Sequence, residues 1–591
     1  MEPLPPDHIR LLCIEAGSAE SPIRCKLQAT SLHTPPPYEA LSYTWGSTEQ
    51  ESAITCGGSD MLVTRNLFDV LQYLRKPESQ RIMWIDAVCI NQRNDQERTE
   101  QVGMMKDIYK KALHVVIWLG RDTLEDKAAF SLLNRFEDVF AKHGLVNIGP
   151  ESFSTAGLPK MGDPDWVALV KLFQRPWFRR IWVVQEAAMA CESTVVCGSY
   201  SVKWDHISNV ARSVRMNGHL GQFPVGFFAP GISSVVVIYH LSQAHKDQDK
   251  TWGLLGMLRL TRKYMATDPR DKVFAMMGVV TTPGSMGLDL DYRLSAEEVY
   301  LSVATHNLEE LKDLELLANS GVSSAPENPK LPSWVPDWSH RNDGRAIIAA
   351  TAKRVGFCAS GESQPMLSIS ADRKILTIRG AVIDTISQLD TSVLVEEEES
   401  ELDHTSQASQ ARIALRSKAC FANFAALAEG AHKFPEGHSR EESLWRTLCG
   451  NQTAGIPPER APPEYATAYR LIRKYHKVTA ADGSMDIAAL HRIVVPVDYS
   501  NFTAFMNQVG EHCTGRNLCV TAGGYLGSVP NGSITEDKVC ILFGSRVPFV
   551  LRECGKGLFK LVGECYIHGI MDGEAMKRGD MEVLSRDFEI A

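Results

Sequence analysis

Short apolar runs and helical periodicity alternate along the N-terminal third of this chain. The runs YEALSYTWG, RIMWIDAVCI and HVVIWLG have the length and the β-branched or aromatic content of buried strands. Between the last two lies ERTEQVGMMKDIYKKAL, whose apolar residues recur at helical spacing. An alternation of strands and helices predicts a parallel sheet covered by helices. We therefore expect an α/β domain at the N-terminus.

Turn and capping residues predict further elements in the same region. ESAITCGGSDMLVT alternates on either side of Gly57 and Gly58, as the two strands of a β-hairpin do. NLFDVLQYLRK follows with helical spacing, and its N-cap is either Thr64 or Asn66. A later helix has Pro176 near its first turn.

Three segments are predicted to share one crevice. Ligands bind to open α/β sheets beyond the carboxyl ends of the parallel strands, and this rule places residues 42–46, 86–92 and 120–122 together. Asp86 either binds a ribose there or caps the following turn. Trp45 and Gly46 are either a lid over a ligand or a core tryptophan followed by a turn glycine.

One glutamate, Glu186, interrupts the apolar run RPWFRRIWVVQEAAMA. A buried carboxylate loses its hydration unless a partner or a ligand compensates. Glu186 is therefore either a functional acid or a helix carboxylate paired with Arg179 or Arg180. Trp182 lies four residues earlier, on the same face of the predicted helix, so an aromatic ring and a carboxylate would meet one ligand together.

Composition narrows the class of protein and of partner. A net charge of −9 and a pI near 6.0 argue against a general binder of nucleic acid or anionic membranes. The start MEPLPPDHIR lacks the pattern of a signal peptide, and no apolar run is long enough to span a bilayer. Fourteen cysteines without a CxxC pair favour reduced thiols over a zinc site or disulfides. These features predict a cytoplasmic protein without metal or cofactor, whose partners are proteins or small molecules.

The length of 591 residues exceeds what one hydrophobic core organises and predicts several domains. Residues 1–205 form the predicted α/β domain, 206–345 a mainly helical region, and 346–500 a mixed helical region with an acidic loop at 395–410. Residues 501–591 alternate with period two between turn residues and predict a small antiparallel β domain.

Several of these blocks resemble, in order, the blocks of the fungal heterokaryon-incompatibility (HET) domain. They are YEALSYTWG, WIDAVCINQ, QVGMMKDIY, VVIWLG and RPWFRRIWVVQEAAMA. DPRDKVFAMMGV, LPSWVPDWS and YIHGIMDGEA resemble the remainder of long HET-domain proteins. The resemblance implies a role in non-self recognition between fungal individuals and in regulated cell death. It does not identify the allelic or non-allelic partner protein that is recognised.

A second resemblance, confined to the N-terminal third, is to TIR domains. ALSYTWG is similar to their first strand and WIDAVCI to their second strand with its aspartate. IWVVQEAAMA is similar to the helix in which a tryptophan is followed four residues later by the glutamate of NAD-cleaving members. The resemblance implies a TIR-like fold, NAD or a related nucleotide as substrate, and a site completed by self-association.

Cleavage of NAD needs little more than such a tryptophan and glutamate. Nicotinamide is a cationic group that departs neutral, so one carboxylate that stabilises the oxocarbenium-like ribose suffices. Glu186 is then the catalytic carboxylate. The expected substrate-binding residues are Ser42 and Gly46 for phosphates, Asp86 for ribose, and Trp45, Trp182 or Trp118 for stacking. The alternative is a non-catalytic TIR-like module that assembles a death-signalling complex.

Overall fold

A computed structural model describes residues 2–18, 20–47, 49, 51–144, 153–160, 163–216, 230–246, 252–280, 288–321, 328–340, 356–390, 392, 407–453, 459–478, 499–579 and 581–591. The chain divides into two compact units, Met1–Ser295 and Ala296–Ala591. Each unit contains a nine-stranded sheet with its own helices.

The strands of the first unit are β1 (His8–Ile14), β2 (Arg24–Ser31), β3 (Glu39–Tyr43), β4 (Glu51–Cys56), β5 (Ser59–Thr64), β6 (Arg81–Trp84), β7 (His114–Trp118), β8 (Ser193–Cys197) and β9 (Tyr200–Lys203). They form one sheet in the order β5-β4-β2-β1-β6-β3-β7-β8-β9. The predicted strands β3, β6 and β7 are therefore neighbours at its centre.

The sheet is mixed, which corrects the prediction of a parallel sheet. Strands β6, β3, β7 and β8 run parallel, as predicted. However, β1 pairs antiparallel with both β2 and β6, and β4–β5 and β8–β9 are antiparallel hairpins. The two hairpins follow from the length of their connections, because a two-residue turn joins only antiparallel strands. The antiparallel pairing of β1 with β6 joins strands that are distant in the sequence, so no connection length accounts for it.

The helices of the first unit are α1 (Arg65–Leu74), α2 (Asp86–Cys89), α3 (Asp95–Lys111), α4 (Asp126–His143), α5 (Phe153–Ala156), α6 (Pro164–Phe173), α7 (Val183–Ala188), α8 (Trp204–Met216), α9 (Pro230–Lys246), α10 (Leu254–Leu260) and α11 (Asp271–Met277). The helix expected around Pro176 is divided into a 3-10 turn, Pro176–Arg179, and the short helix α7. Arg180, Ile181 and Trp182 connect these two pieces.

Local chemistry explains the predicted hairpin and the helix after it. Gly57 and Gly58 both have positive φ, 60° and 84°, as the two central residues of a type I′ turn require. Thr64 is the N-cap of α1, since its side chain accepts a hydrogen bond from the Leu67 N–H. Asn66, the other predicted cap, lies inside the helix.

The second unit contains β10 (Leu367–Ile369), β11 (Leu376–Asp390), β12 (Arg516–Thr521), β13 (Leu526–Pro530), β14 (Lys538–Leu542), β15 (Phe549–Glu553), β16 (Leu558–Glu564), β17 (Tyr566–Ile567) and β18 (Ser585–Ile590). The strand order is β14-β15-β16-β18-β11-β12-β13-β17, with β10 beside β11. An additional pairing of β14 with β11 closes five of these strands into a ring. The predicted hairpins β12–β13, β14–β15 and β15–β16 are antiparallel.

The helices of the second unit are α12 (Ala296–Glu309), α13 (Gln407–Ala428), α14 (Arg440–Leu448), α15 (Tyr465–Val478), α16 (Tyr499–Cys513) and α17 (Met581–Leu584). Residues from α13 to α16 form a hydrophobic cluster with β12 and β13, and a second cluster includes residues of every strand from β11 to β17. Most of the predicted acidic loop, residues 395–406, lies outside the described residues, and 407–410 begin α13. Among the described helices, none has the length and apolar content to cross a membrane.

Candidate active site

Glu186 lies on a helix whose residues are all buried. Helix α7 packs against β3 and β7 of the sheet and against α3, α9 and α11. Val183, Val184 and Ala187 supply the apolar surface for this packing, which draws Glu186 into the interior with 2% of its surface exposed. The carboxylate thus sits on the face of the central parallel strands.

A chain of two hydrogen bonds holds this carboxylate. The Ser42 hydroxyl donates to Glu186 Oε2. The indole Nε1–H of Trp177 donates to Ser42 Oγ at 2.8 Å, so the serine accepts one bond and donates the other. Ser42 and Trp177 are 0% and 1% exposed. The predicted site residues Ser42 and Glu186 are therefore in direct contact.

Burial dominates the titration of Glu186. The pKa of its carboxyl is raised from 4.5 to about 7, chiefly by desolvation, and the charge of Asp86 acts in the same direction. The positive charge of Arg180 and the Ser42 hydrogen bond oppose this rise. In the described part of the chain no hydrogen bond or ion pair joins Arg180 to Glu186, so this predicted partner acts through its charge.

Asp86 and Trp45 form a second pair at the carboxyl ends of β6 and β3. The Trp45 Nε1–H donates to Asp86 Oδ2 at 2.8 Å, and the Ala87 N–H donates to Asp86 Oδ1 at 2.7 Å. Burial raises the pKa of Asp86, whereas the charge of Arg180 and these hydrogen bonds lower it. Trp45 is 36% exposed, so its ring lies at the surface and not in the core.

The loop after β3 is fixed by Asn66 of α1. Its side-chain amide donates to the Thr44 carbonyl at 2.6 Å, and its Oδ1 accepts from Trp118 Nε1 at 3.1 Å. Gly46 has a φ of +78°, and a Cβ there would lie 3.3 Å from Asn66 Cβ. Trp118 is 0% exposed, which excludes it from stacking on a ligand in this structure.

Trp182 contacts a different group. Its side chain is hydrogen-bonded to Asp271 of α11, and the Tyr292 hydroxyl donates to the same carboxylate at 2.6 Å. Burial raises the pKa of Asp271 to about 6. The structure therefore brings Ser42 into contact with Glu186, and Trp45 into contact with Asp86. The charge of Arg180 acts on both carboxylates. Trp182 is instead hydrogen-bonded to Asp271 of α11.

Comparison with known proteins supplies the family. Residues 38–186 match the family described as Heterokaryon incompatibility protein (HET), and residues 373–584 match the Het-6 beta-barrel domain. Heterokaryon incompatibility protein 6, OR allele, of Neurospora crassa is 25% identical over 672 aligned positions, which cover 98% of this chain and 96% of that protein. The chain thus contains a HET domain and a Het-6 beta-barrel domain. No solved structure matches it.

The HET match of this HET-domain protein coincides with the candidate site. It begins at Tyr38, just before β3, and ends at Glu186 itself, so it spans Ser42, Asp86 and the start of α7. The barrel match, residues 373–584, covers all of β11 to β17, including four of the five strands in the closed ring.

Sequence reasoning missed two residues that shape the site of this HET-domain protein. Trp177 is separated from Ser42 by 135 positions, and Asp271 also lies far from Trp182 along the chain. Both residues lie in segments that resemble HET proteins, RPWFRRIW and DPRDKVF. This resemblance is the one feature of the sequence that points to them. Residue spacing carries no information on such distant contacts.

A second buried carboxylate in the same unit has different partners. Glu97 is 6% exposed, and its Oε2 accepts from Arg10 Nη2 at 3.2 Å. Although burial raises the pKa of Glu97, hydrogen bonds from Arg10 and from the Asn91 N–H hold it below its ordinary value. Glu97 is thus a paired structural carboxylate, whereas Glu186 is a protonatable one.

Proposed function

We propose that this HET-domain protein acts in non-self recognition between fungal individuals and in the cell death that follows incompatible fusion. Its HET family match and its likeness to heterokaryon incompatibility protein 6 of Neurospora crassa support the role in recognition. We further propose that its N-terminal domain is TIR-like and cleaves NAD or a related nucleotide, with Glu186 as the catalytic carboxylate. The observation that supports this chemistry is the burial of Glu186 against Ser42, with a pKa of about 7.

The reaction would use the charge of Glu186. When the bond between nicotinamide and ribose breaks, nicotinamide leaves with the bonding electrons as a neutral molecule, and positive charge develops on the ribose. A carboxylate in a site with little water stabilises that charge strongly. The cationic nicotinamide of the bound substrate would favour the ionised form of Glu186, because a nearby positive charge lowers a carboxyl pKa. Ser42 would hold the carboxylate in place.

The residues around the Trp45 loop would bind the remainder of the substrate. Asp86 would accept hydrogen bonds from ribose hydroxyls, and the exposed ring of Trp45 would stack on a base. The exposed backbone at Gly46 would donate to phosphate oxygens. Trp182 would join the site after it leaves Asp271.

The present arrangement requires a movement before substrate reaches Glu186, because that residue is only 2% exposed. We propose self-association as the trigger, since the TIR-like resemblance implies a site completed between subunits. A movement of α7 or of the loop at Trp45 would open the carboxylate to a ligand.

The second candidate function is a non-catalytic module that assembles a death-signalling complex. The observation that favours it is the enclosure of Glu186, whose carboxylate already accepts a hydrogen bond from a buried serine. In this reading the Ser42–Glu186 contact stabilises the fold, and the surface of the domain binds other proteins.

Expression in fungal cells separates the two functions. Wild type and Glu186→Gln are expressed at matched soluble levels, and cellular NAD and viability are both measured. The catalytic function predicts that wild type depletes NAD and kills, while Glu186→Gln does neither. Killing by both proteins without loss of NAD would establish the interaction module instead.

A matched control is available on the strand that carries Ser42. Glu39 of β3 forms a half-buried ion pair with Arg81, with 3.1 Å between Oε1 and Nη2. Glu39→Gln also removes one carboxylate from the first unit, at a cost in stability of about 1 kcal/mol. It should kill and deplete NAD as wild type does.

A further inference from the structure

Two of the free cysteines are direct neighbours in the first sheet. All fourteen cysteines of the chain are free thiols. Cys25 of β2 is paired with Cys56 of β4 in the parallel register, and the Gly57 N–H donates to the Cys25 carbonyl at 2.9 Å. Side chains of such a pair stand on the same side of a sheet whose strands are about 4.8 Å apart. The two Cα atoms therefore lie within the separation that a disulfide requires, about 4.4–6.8 Å.

The surroundings distinguish the two thiols. Hydrogen bonds from the Cys25 thiol and the Leu27 N–H outweigh burial and lower the pKa of Cys56 to about 7. The hydrogen bond with Cys56 and burial both raise the pKa of Cys25. Cys56 is half-buried and Cys25 is 4% exposed. Because the thiolate is the nucleophile, Cys56 is the thiol that reacts first and Cys25 the one that resolves.

We propose that Cys25 and Cys56 are a redox modification site that forms a reversible disulfide when hydrogen peroxide oxidises Cys56. The Cys56 thiolate attacks one peroxide oxygen, the O–O bond breaks, and the departing hydroxide takes up a proton to become water. The product is a sulfenic acid on Cys56. The Cys25 sulfur then attacks the Cys56 sulfur, the S–S bond forms, and the S–O bond breaks with release of a second water. Two electrons pass from the thiols to the peroxide.

Reduction proceeds by thiol exchange. A thiolate of a dithiol attacks one sulfur of the disulfide, and its second thiol releases the protein cysteine. Cys56 is only half-buried, so a sulfur of the disulfide is accessible to such a dithiol. The site is therefore suited to a reversible change.

The disulfide would anchor the β4–β5 hairpin. The ladder between β2 and β4 consists of two paired positions, Arg24 with Thr55 and Cys25 with Cys56. Strand β5 leads through Thr64 directly into α1, whose Asn66 holds the Thr44 carbonyl beside Trp45. Oxidation would therefore restrain the segment that positions the loop after β3.

Peptide mapping of the full-length protein tests the proposal. Reduced protein is treated with graded hydrogen peroxide, remaining thiols are alkylated, and the digest is analysed by mass spectrometry. We expect a cross-linked Cys25–Cys56 peptide that appears before other oxidation products and is lost on treatment with dithiothreitol. Hydrogen exchange in residues 51–64 should slow on oxidation.

Two variants sharpen the experiment. Cys191→Ser removes an exposed thiol outside the pair and should leave the cross-link unchanged. Cys25→Ser, or Cys25→Ala if that variant does not fold, should stop at a sulfenic acid on Cys56 that a sulfenic-acid reagent traps. The proposal is overturned if both thiols remain alkylatable after Cys191 has been oxidised.

Discussion

At Glu186, opposing effects act on one carboxylate. Burial and the charge of Asp86 raise its pKa, while Arg180 and the Ser42 hydroxyl lower it, and burial prevails with a value of about 7. Each pKa unit corresponds to about 1.4 kcal/mol, so protonation of Glu186 is more favourable in the native state than in the unfolded chain by about 3 kcal/mol. The pKa of Glu97, a structural carboxylate, is instead lowered, because Arg10 donates hydrogen bonds directly to it.

This balance predicts how stability depends on pH. In the unfolded chain Glu186 loses its proton near pH 4.5, whereas the native chain keeps it to about pH 7. Between these values the native state binds more protons, so the contribution of Glu186 to the free energy of unfolding falls as the pH rises. Above pH 7 both states are ionised and the contribution is constant.

Urea denaturation at stepped pH, with Glu186→Gln for comparison, measures this contribution. The free energy of unfolding of wild type minus that of the variant should fall by up to about 3 kcal/mol across the window. A difference that stays level, or that rises with pH, would mean that Glu186 is ionised throughout and held by an ion pair.

Sequence reasoning identified some of the site residues and not others, for a physical reason. Glu186 stood out because a carboxylate among apolar residues needs compensation, and Ser42 and Asp86 because strand ends gather at one edge of a sheet. Trp177 and Asp271 were beyond this reasoning, since their contacts depend on how distant segments pack. Trp118 was expected as a possible stacking ring, but its strand is covered on both faces.

Among the elements, α7 depends most on its neighbours. Its six residues are too few for a helix that is stable by itself. Ser42 of strand β3 donates a hydrogen bond to Glu186 of this helix. Asp271 of α11 is hydrogen-bonded to Trp182, the residue just before the helix. Just after α11, Gly278 lies against the side chain of Gln185, which is 1% exposed. The position of Glu186 therefore depends on residues 268–278 as well as on the sheet.

Two glycine substitutions test this support. In Gly278→Ala the new Cβ would lie 2.6 Å from Gln185 Oε1, and the buried amide has no free space, so we expect a loss of about 1–3 kcal/mol. Gly103→Ala in α3 meets nothing within 4 Å and should gain about 0.5–1 kcal/mol. Urea unfolding of both variants gives the comparison. Equal stabilities would show that α7 tolerates displacement by α11.

Local sequence patterns predict several secondary-structure elements, but they do not predict the pairing of strands that are distant in the chain. The turn at Gly57 and Gly58 follows from neighbouring residues and is confirmed, and of the two expected caps, Thr64 and Asn66, the structure has Thr64. Strands β3, β6 and β7 were recognisable as apolar runs. The insertion of β1 antiparallel between β2 and β6 makes the sheet mixed, and no local pattern records which distant strands will pair.

At the scale of the whole molecule, the chain divides into two compact units between residues 295 and 296. The finer division into four regions stays a prediction. Within the first unit, α9 and α11 pack against α7, and a Cβ on Gly231 of α9 would lie 2.1 Å from the Phe173 carbonyl oxygen. Residues beyond 205 therefore cover the helix that carries Glu186.

Two N-terminal fragments test this organisation. We expect residues 1–295 to unfold cooperatively, because the fragment keeps α9 and α11 over α7. Residues 1–205 would expose the apolar surface of α7 and should melt at a lower temperature or aggregate. Thermal unfolding followed by circular dichroism makes the comparison. Equal melting temperatures would instead support a domain that ends at 205.

The most direct test of the catalytic role of Glu186 is the release of nicotinamide from NAD by the purified full-length protein at high concentration. Wild type and Glu39→Gln should release nicotinamide at similar rates. Glu186→Gln keeps the size of the side chain but lacks the charge that stabilises the ribose cation, a loss on the order of 3 kcal/mol or about a hundredfold in rate. Equal rates for wild type and Glu186→Gln, or no release by wild type at any protein concentration, would contradict the account.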